Sequence, residues 1–335
     1  MTIAIIGAGA IGSVVAAYLT RAGQDVTLVG RDNQVKIIKE NGLKIKGVRG
    51  EETFEVKAKL RLDQNCDLVI LTVKTQDIET AVRDNQKFLK DSLVLSSQNG
   101  VQADHRLRKY FHQKNIFSSI VMFGATYVKP GEATFNFEGD WIVGKPFEPV
   151  DAKTEEIAEF LRAAFPIVVS EDIIGMKWLK LFVNFNNCIP ALIGKSMQET
   201  FADMDLCRLS ILLLKEGIGI IQKAGIILVS MPKFPVERIM GLVQMPIDQS
   251  AGIMNKTLTT LSKEPLYGSI LQSILRKRPS EIDYINGEIV RLAEQLGEDA
   301  SLNRKLVDMV HQVEQTGAFY KSGDIKGHFG LKARM

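Results

Sequence analysis

In the stretch WLKLFVNFNN, Trp178 to Asn187, a lysine and three asparagines are set among large apolar side chains. Asparagine is a poor helix former and a buried lysine is costly, so their presence needs a reason. At about 100° per residue, Lys180, Asn184 and Asn187 fall within roughly 60° of one another on a helix. Trp178, Leu181, Phe182, Phe185 and Ile189 cover much of the remainder. Such a stripe is either a solvent-facing edge or a reactive face. As a reactive face it has a definite chemistry: an ammonium beside a ketone protonates a developing alkoxide, and asparagine amides orient carbonyl and hydroxyl groups without adding charge.

A second constellation is RPSEIDYINGEI, 278–289. Ser280 reads as an N-cap, with Glu281 and Asp283 in the first helical turn, where the helix dipole stabilises carboxylates. Facing a cleft instead, Glu281 would keep Lys180 protonated and accept a hydrogen bond from a substrate hydroxyl. Ser269 and Ser273, in YGSILQSIL, either face the same space or bond back to their own helix. The histidines His105, His112, His311 and His328 lie outside these motifs, which leaves Lys180 as the leading proton donor.

A cofactor motif stands at the N-terminus. Gly7, Ala8, Gly9, Ala10, Ile11 and Gly12 spell G-x-G-x-x-G directly after one expected strand and at the start of an expected helix, the context in which this pattern holds a dinucleotide pyrophosphate. The second expected strand ends in VTLVGRD. There Arg31 suits a 2′-phosphate and favours NADP, while Asp32 either serves the ribose of NAD or simply begins the next helix. Two further strand ends carry polar groups: Lys74, Thr75 and Gln76, and Asn99 with Gly100. Ligands of such sheets lie beyond the carboxyl ends of strands, so Asn99 is read either as turn chemistry or as a contact to nicotinamide or a substrate carboxylate. A nicotinamide cofactor transfers hydride, leaving the protein to supply a proton donor and a substrate anchor.

These groups need a framework. TIAIIG, QDVTLVG, DLVILTV and SLVLSSQ read as buried strands, alternating with the helical patterns IGSVVAAYLTRAG and QDIETAVRDNQKFL, the signature of a doubly wound, mostly parallel sheet. LKIKGVRGEETFEVKAKL reads as two antiparallel strands inserted in a crossover. IFSSIVMFGATYV, EATFNF and DWIVGK follow as later strands. After Ser170, spacings of three and four dominate over about 172–194, 199–225, 234–245, 247–262, 280–297 and 302–316. The expected organisation is a Rossmann domain at 1–170, an all-helical substrate and catalytic domain at 171–320, and a basic tail at 321–335 that frays.

With 335 residues, 45% hydrophobic and 24% charged, the chain has the composition of a globular protein of about two domains. A net charge of +3 spread along the sequence gives no nucleic-acid surface, and RKR at 276–278 reads as one solvated turn. No apolar run reaches the length of a membrane span, and the opening residues read as strand and turn rather than a signal peptide. Cys66, Cys188 and Cys207 lie far apart with no C-x-x-C pair, which excludes a disulfide framework or zinc site from this reading and fits a reducing cytoplasm. The apolar helices of the second domain form either a homodimer interface or a larger core.

GAGAIG, the lysine of VKTQ, the QNG triad, KWLKLFVN and above all SEIDYING resemble the ketopantoate reductase (2-dehydropantoate 2-reductase) family, in order along nearly the whole chain. The resemblance implies reduction of 2-dehydropantoate by NADPH in pantothenate and coenzyme A biosynthesis, and a helical domain like that of 6-phosphogluconate dehydrogenase. It also implies roles: Lys180 as general acid, Glu281 as the substrate-binding carboxylate, Asn99 serving cofactor and substrate. Ser269, Asn184 and Asn187 would contact substrate; Arg31, Lys74 and Gly7 to Gly12 would hold NADPH. Just past the stripe the match weakens: family members commonly have another asparagine about one turn after the first, and either Asn187 takes that role or a frame shift puts Cys188 there, with Pro190 expected to bend or end the helix. A reductase of another branched 2-oxo acid and a non-catalytic NADP(H)-binding sensor stay as alternatives.

Overall fold

The computed structural model describes residues 1–262 and 264–331. They form two compact units, 1–174 and 175 onward. The first contains β1 (Thr2–Ile6), α1 (Ala10–Arg21), β2 (Asp25–Val29), α2 (Asp32–Asn41), β3 (Leu43–Gly47), β4 (Glu52–Phe54), β5 (Lys57–Lys59), β6 (Leu68–Leu71), α3 (Ile78–Asn85) and β7 (Leu93–Ser96). It continues with α4 (Ala103–Leu107), β8 (Ile116–Val121), β9 (Gly124–Lys129), β10 (Glu132–Phe137), β11 (Trp141–Gly144), α5 (Ala152–Arg162) and β12 (Ile167–Ser170).

Its main sheet has the order β12-β11-β8-β7-β6-β1-β2-β5, parallel except where β11 runs against β8. The near-continuous apolar strands are explained by burial on both faces. Ile3, Ile5, Leu68 and Ile70 enter one core with α1, while Ala4, Ile6, Val69 and Leu71 enter another with α3 and α4. β1 is flanked by β2 on one side and β6 on the other, which makes this the switch point where the chain reverses its direction of winding.

The stretch expected as an inserted antiparallel pair is partly redistributed. β3 and β4 do pair antiparallel, Leu43 opposite Phe54, but β3 also runs parallel to β10. The result is a second sheet, β4-β3-β10-β9, while β5 leaves to extend the main sheet beside β2. IFSSIVMFGATYV is likewise two strands in different sheets.

The second unit contains most of α6 (Ile173–Asn184), then α7 (Cys188–Ile193), α8 (Met197–Phe201), α9 (Met204–Lys223), α10 (Val236–Gln244) and α11 (Ile247–Thr259). α12 (Ser269–Leu275), α13 (Asn286–Leu296), α14 (Ser301–Thr316) and α15 (Ser322–His328) complete it. RKR at 276–278 closes α12: Lys277, at φ 54, takes the left-handed position usual for glycine, and the Arg278 amide donates back to the Ser273 carbonyl at 3.0 Å. The tail corrects the expectation of fraying, because α15 buries Ile325 and ties Lys326 to Asp203 and Asp205. Residues 332–335 lie outside the described residues.

A polar thread runs through this helical core. Glu216 of α9 caps α14, accepting from the Leu302 and Asn303 amides at 3.0 and 2.8 Å. The fully buried Asn303 side chain donates to Glu216 at 2.7 Å and accepts from Asn286 at 2.8 Å; Asn286 in turn accepts from the Cys188 thiol. Asn303 also donates to the Leu213 carbonyl at 3.2 Å, and cutting the thread there strands buried polar atoms on both sides of it. Asn303→Ala should therefore lower the free energy of unfolding by about 3 kcal/mol. Urea denaturation checks this, and an unchanged midpoint would show that the thread contributes nothing.

Candidate active site

The carboxyl ends of β1, β2, β6 and β7 gather the groups singled out in the first unit. A Cβ on Gly12 would lie 1.9 Å from the Gly7 carbonyl oxygen and 2.4 Å from Thr72 Oγ1, so helix and strand touch backbone to backbone there. Gly7 adopts φ +124 with the Val73 amide 2.7 Å from any added Cβ. Gly9 differs: nothing lies within 4 Å of the position its Cβ would take. It is the N-cap of α1, which has no side-chain cap and no acidic residue in its first turn. Ala10 and Ile11 open that turn, with Ala8 buried just before it. Uncapped amide donors and an open approach are what a pyrophosphate requires.

Three side chains absent from the sequence-based list hold this loop in place. Thr72 Oγ1 lies 2.8 Å from the Gly7 carbonyl oxygen, to which it donates. Gln98, buried at 5% exposure, donates to the carbonyls of Leu71 and Val73 at 2.8 and 2.9 Å, joining the end of β7 to that of β6. Gln34 donates to the Ala8 carbonyl at 2.5 Å and accepts from the Arg31 amide at 3.1 Å. The signal for Gln34 was present in the sequence: it stands three residues after the N-cap of α2, where a capping-box glutamine reaches back.

Arg31 is exposed at that N-cap, and Asp32 occupies the first turn of α2. Lys74 is half-buried and precedes a 3-10 turn, Thr75–Asp77. Asn99, also half-buried, is followed by Gly100 at φ +80. Glycine loop, Arg31, Lys74 and Asn99 thus stand at neighbouring strand ends.

In the second unit, α6 carries Lys180 and Asn184 one turn apart. Lys180 is partly accessible, yet burial lowers its ammonium from the usual lysine range to about 8. Among the described residues burial is the cause of that shift, and no carboxylate adds to it. Asn184 is buried and accepts from Asn187 Nδ2 at 3.4 Å. Asn186, outside the stripe, turns to α9 and accepts from Ser210 at 2.8 Å.

After Asn184 the helix tightens to a 3-10 turn over Phe185–Asn187 before resuming as α7. Pro190 sits in the first turn of α7, where its missing N–H removes no helical bond. A Cβ on Gly268 would lie 2.6 Å from Asn187 Oδ1, so the start of α12 packs on that asparagine and brings Ser269, exposed, beside it. Ser273 is buried and bonds back to the Ser269 carbonyl at 2.9 Å, which is its local role.

The segment around Glu281 also departs from expectation. α13 starts at Asn286, not after Ser280; Glu281 precedes a 3-10 turn, Ile282–Tyr284. Ser280 still caps locally, accepting from the Ile282 amide at 3.2 Å. Glu281 is partly exposed, and Asp283 pairs with His311 at 2.9 Å.

Comparison with known proteins supplies the family. The model described as ketopantoate reductase PanE/ApbA matches residues 3–146, and its C-terminal counterpart matches 172–314. A 2-dehydropantoate 2-reductase of Pyrococcus horikoshii is 32% identical over 321 residues, covering 95% of this chain and 99% of its own length. Another, of Archaeoglobus fulgidus, is 28% identical over 312 residues, covering 92% and 97%. Among solved structures, a PanE/ApbA family ketopantoate reductase of Ralstonia eutropha JMP134 superposes with a TM-score of 0.79 at 26% identity, over 94% of this chain and 99% of its own. A D-mandelate dehydrogenase solved with NADH and anilino(oxo)acetate shares the fold, with a TM-score of 0.82 at 24% identity over 94% and 99%. The chain belongs to the ketopantoate reductase PanE/ApbA family, oxidoreductases that reduce 2-oxo acids with a nicotinamide cofactor.

Proposed function

We propose that this protein reduces 2-dehydropantoate to pantoate with NADPH, Lys180 donating the proton. The observation that carries this reading is Lys180 itself: an ammonium lowered to about 8 by burial, on one helical face with Asn184 and Asn187. Such a group remains charged at neutral pH and gives up its proton readily. The relatives curated as 2-dehydropantoate 2-reductases supply the substrate.

The glycine loop and uncapped α1 terminus fit a dinucleotide pyrophosphate, and Arg31 would take a 2′-phosphate. Lys74 and Asn99 complete the cofactor contacts. NADPH, when bound, supplies the hydride. The protein's part is to hold the acid: Lys180 Nζ gives its proton to the 2-oxo oxygen as that oxygen gains charge. Asn99, Asn184, Asn187 and Ser269 hydrogen-bond the carboxylate and hydroxyl groups of the substrate, and Glu281 accepts from its hydroxyl. A second reading is reduction of another branched 2-oxo acid, since the segment after Asn187, with Cys188 and Pro190, departs from what the resemblance implies. The three free thiols fit a reducing cytoplasm. Among the described residues no helix is long and apolar enough to cross a membrane.

Steady-state NADPH oxidation with 2-dehydropantoate is the direct test. Fast turnover supports the reading; a higher kcat/KM for a different 2-oxo acid selects the second, and NADPH binding without turnover on any of them selects the sensor. Lys180→Ala should lower kcat at least about 100-fold with NADPH affinity unchanged. The acid must be protonated, so kcat/KM for reduction should be level below pH 8 and fall as pH rises through about 8. A level profile to pH 10 would remove Lys180 from the proton transfer. Gly9→Val fills open space rather than packed backbone, so it should leave the melting temperature near wild type while abolishing NADPH binding in a fluorescence titration. Arg31→Ala should weaken NADPH at least about tenfold and leave NADH unaffected, erasing the preference.

A further inference from the structure

Glu281 lies in a short irregular segment whose two ends are held from one neighbouring helix. On the upstream side, the Ser280 amide donates to Glu314 Oε1 of α14 at 2.7 Å. On the downstream side, Asp283 Oδ1 lies 2.9 Å from His311 Nε2, also on α14. His311 and Glu314 are themselves joined, Nδ1 to Oε2, at 3.2 Å. Beneath, Ile282 and Ile285 are fully buried, so the segment is pinned from below by apolar packing. Glu281 stands between the two polar ties.

Both imidazole nitrogens face carboxylates, an arrangement that asks both to donate and hence favours the imidazolium. Burial draws the imidazole down, but Asp283 from the turn and Glu314 from its own helix outweigh it and hold His311 above its ordinary value.

We infer that His311, with Glu314, is a positioning residue for Glu281: it fixes both ends of residues 280–283 and so sets where the Glu281 carboxylate meets the substrate. This rests on the reading of Glu281 as the carboxylate that accepts from the substrate hydroxyl. His311 touches neither substrate nor cofactor in this scheme. Its effect is exerted on the affinity for the oxo acid, through a carboxylate that a loosened segment would present to many orientations rather than one.

The test combines kinetics with an observation that needs no turnover. His311→Ala should raise the KM for 2-dehydropantoate about tenfold, with kcat and the NADPH dissociation constant within about twofold of wild type. His311→Gln, which keeps a hydrogen-bonding amide, should restore most of the loss, and Asp283→Asn offers a milder route to the same defect. In the double variant Glu281→Gln/His311→Ala the two effects should not multiply, because one acts through the other. Amide hydrogen exchange across 279–285 should quicken in His311→Ala and recover in His311→Gln. Unchanged exchange there, or effects of His311 and Glu281 that multiply independently, overturns the inference. A Glu281→Gln variant with unaltered KM is a different failure: it removes Glu281 from substrate binding, and the positioning role with it.

Discussion

The α/β unit depends on a contact that leaves no room for a side chain: the Gly7 carbonyl occupies the space that a Cβ on Gly12 would need. That approach lets α1 start directly over the end of β1 and points its free amides outward. Thr72 then bonds the same carbonyl from β6, Gln98 ties β6 to β7, and Gln34 ties Ala8 to the turn bearing Arg31. The strand ends are thus joined laterally by side-chain amides and a hydroxyl as well as by the sheet ladder. Lys74 and Asn99 each follow a residue so tied, and Arg31 is tied through its own amide.

The helical unit solves a different problem, holding polar residues on an apolar helix. Its answer is to give each asparagine a separate task. Asn186 anchors to Ser210, Asn187 receives the start of α12 through Gly268, and Asn184 is buried against Asn187. Cys188, immediately downstream, is fastened to Asn286, and through Asn303 to Glu216 at the mouth of α14. The 3-10 turn at Phe185–Asn187 is therefore braced on both sides. α14 serves this unit twice, closing the buried thread at its first turn and gripping the Glu281 segment near its last.

Much of this was legible in the sequence because it depends on local pattern. The glycine motif, the parallel strands, the helical succession after Ser170 and the stripe of Lys180, Asn184 and Asn187 all follow from periodicity and backbone sterics. What escaped depends on partners far apart in the chain. The second sheet exists because β3 meets β10, and no feature of LKIKG names EATFNF as its neighbour. Likewise His311 and Glu314 are a visible i,i+3 pair, but Asp283 stands 28 residues away. The tail was misread because its charge and glycine content hide a single buried Ile325 and a lysine held by two aspartates. Ser280 showed the opposite difficulty: its capping role was legible, but a 3-10 turn rather than the long helix follows it.

Lys180 carries one further consequence. Its ammonium is lowered by burial, with no offsetting charge among the described residues. A group in that condition is thermodynamically coupled to any negative ligand that settles beside it, since the anion relieves the penalty that burial imposes. Arrival of a 2-oxo acid carboxylate at that face would draw the ammonium back toward the ordinary lysine range. At pH values near and above 8, where the free amine is partly deprotonated, binding of such an anion and proton uptake from solvent would then be coupled, each favouring the other.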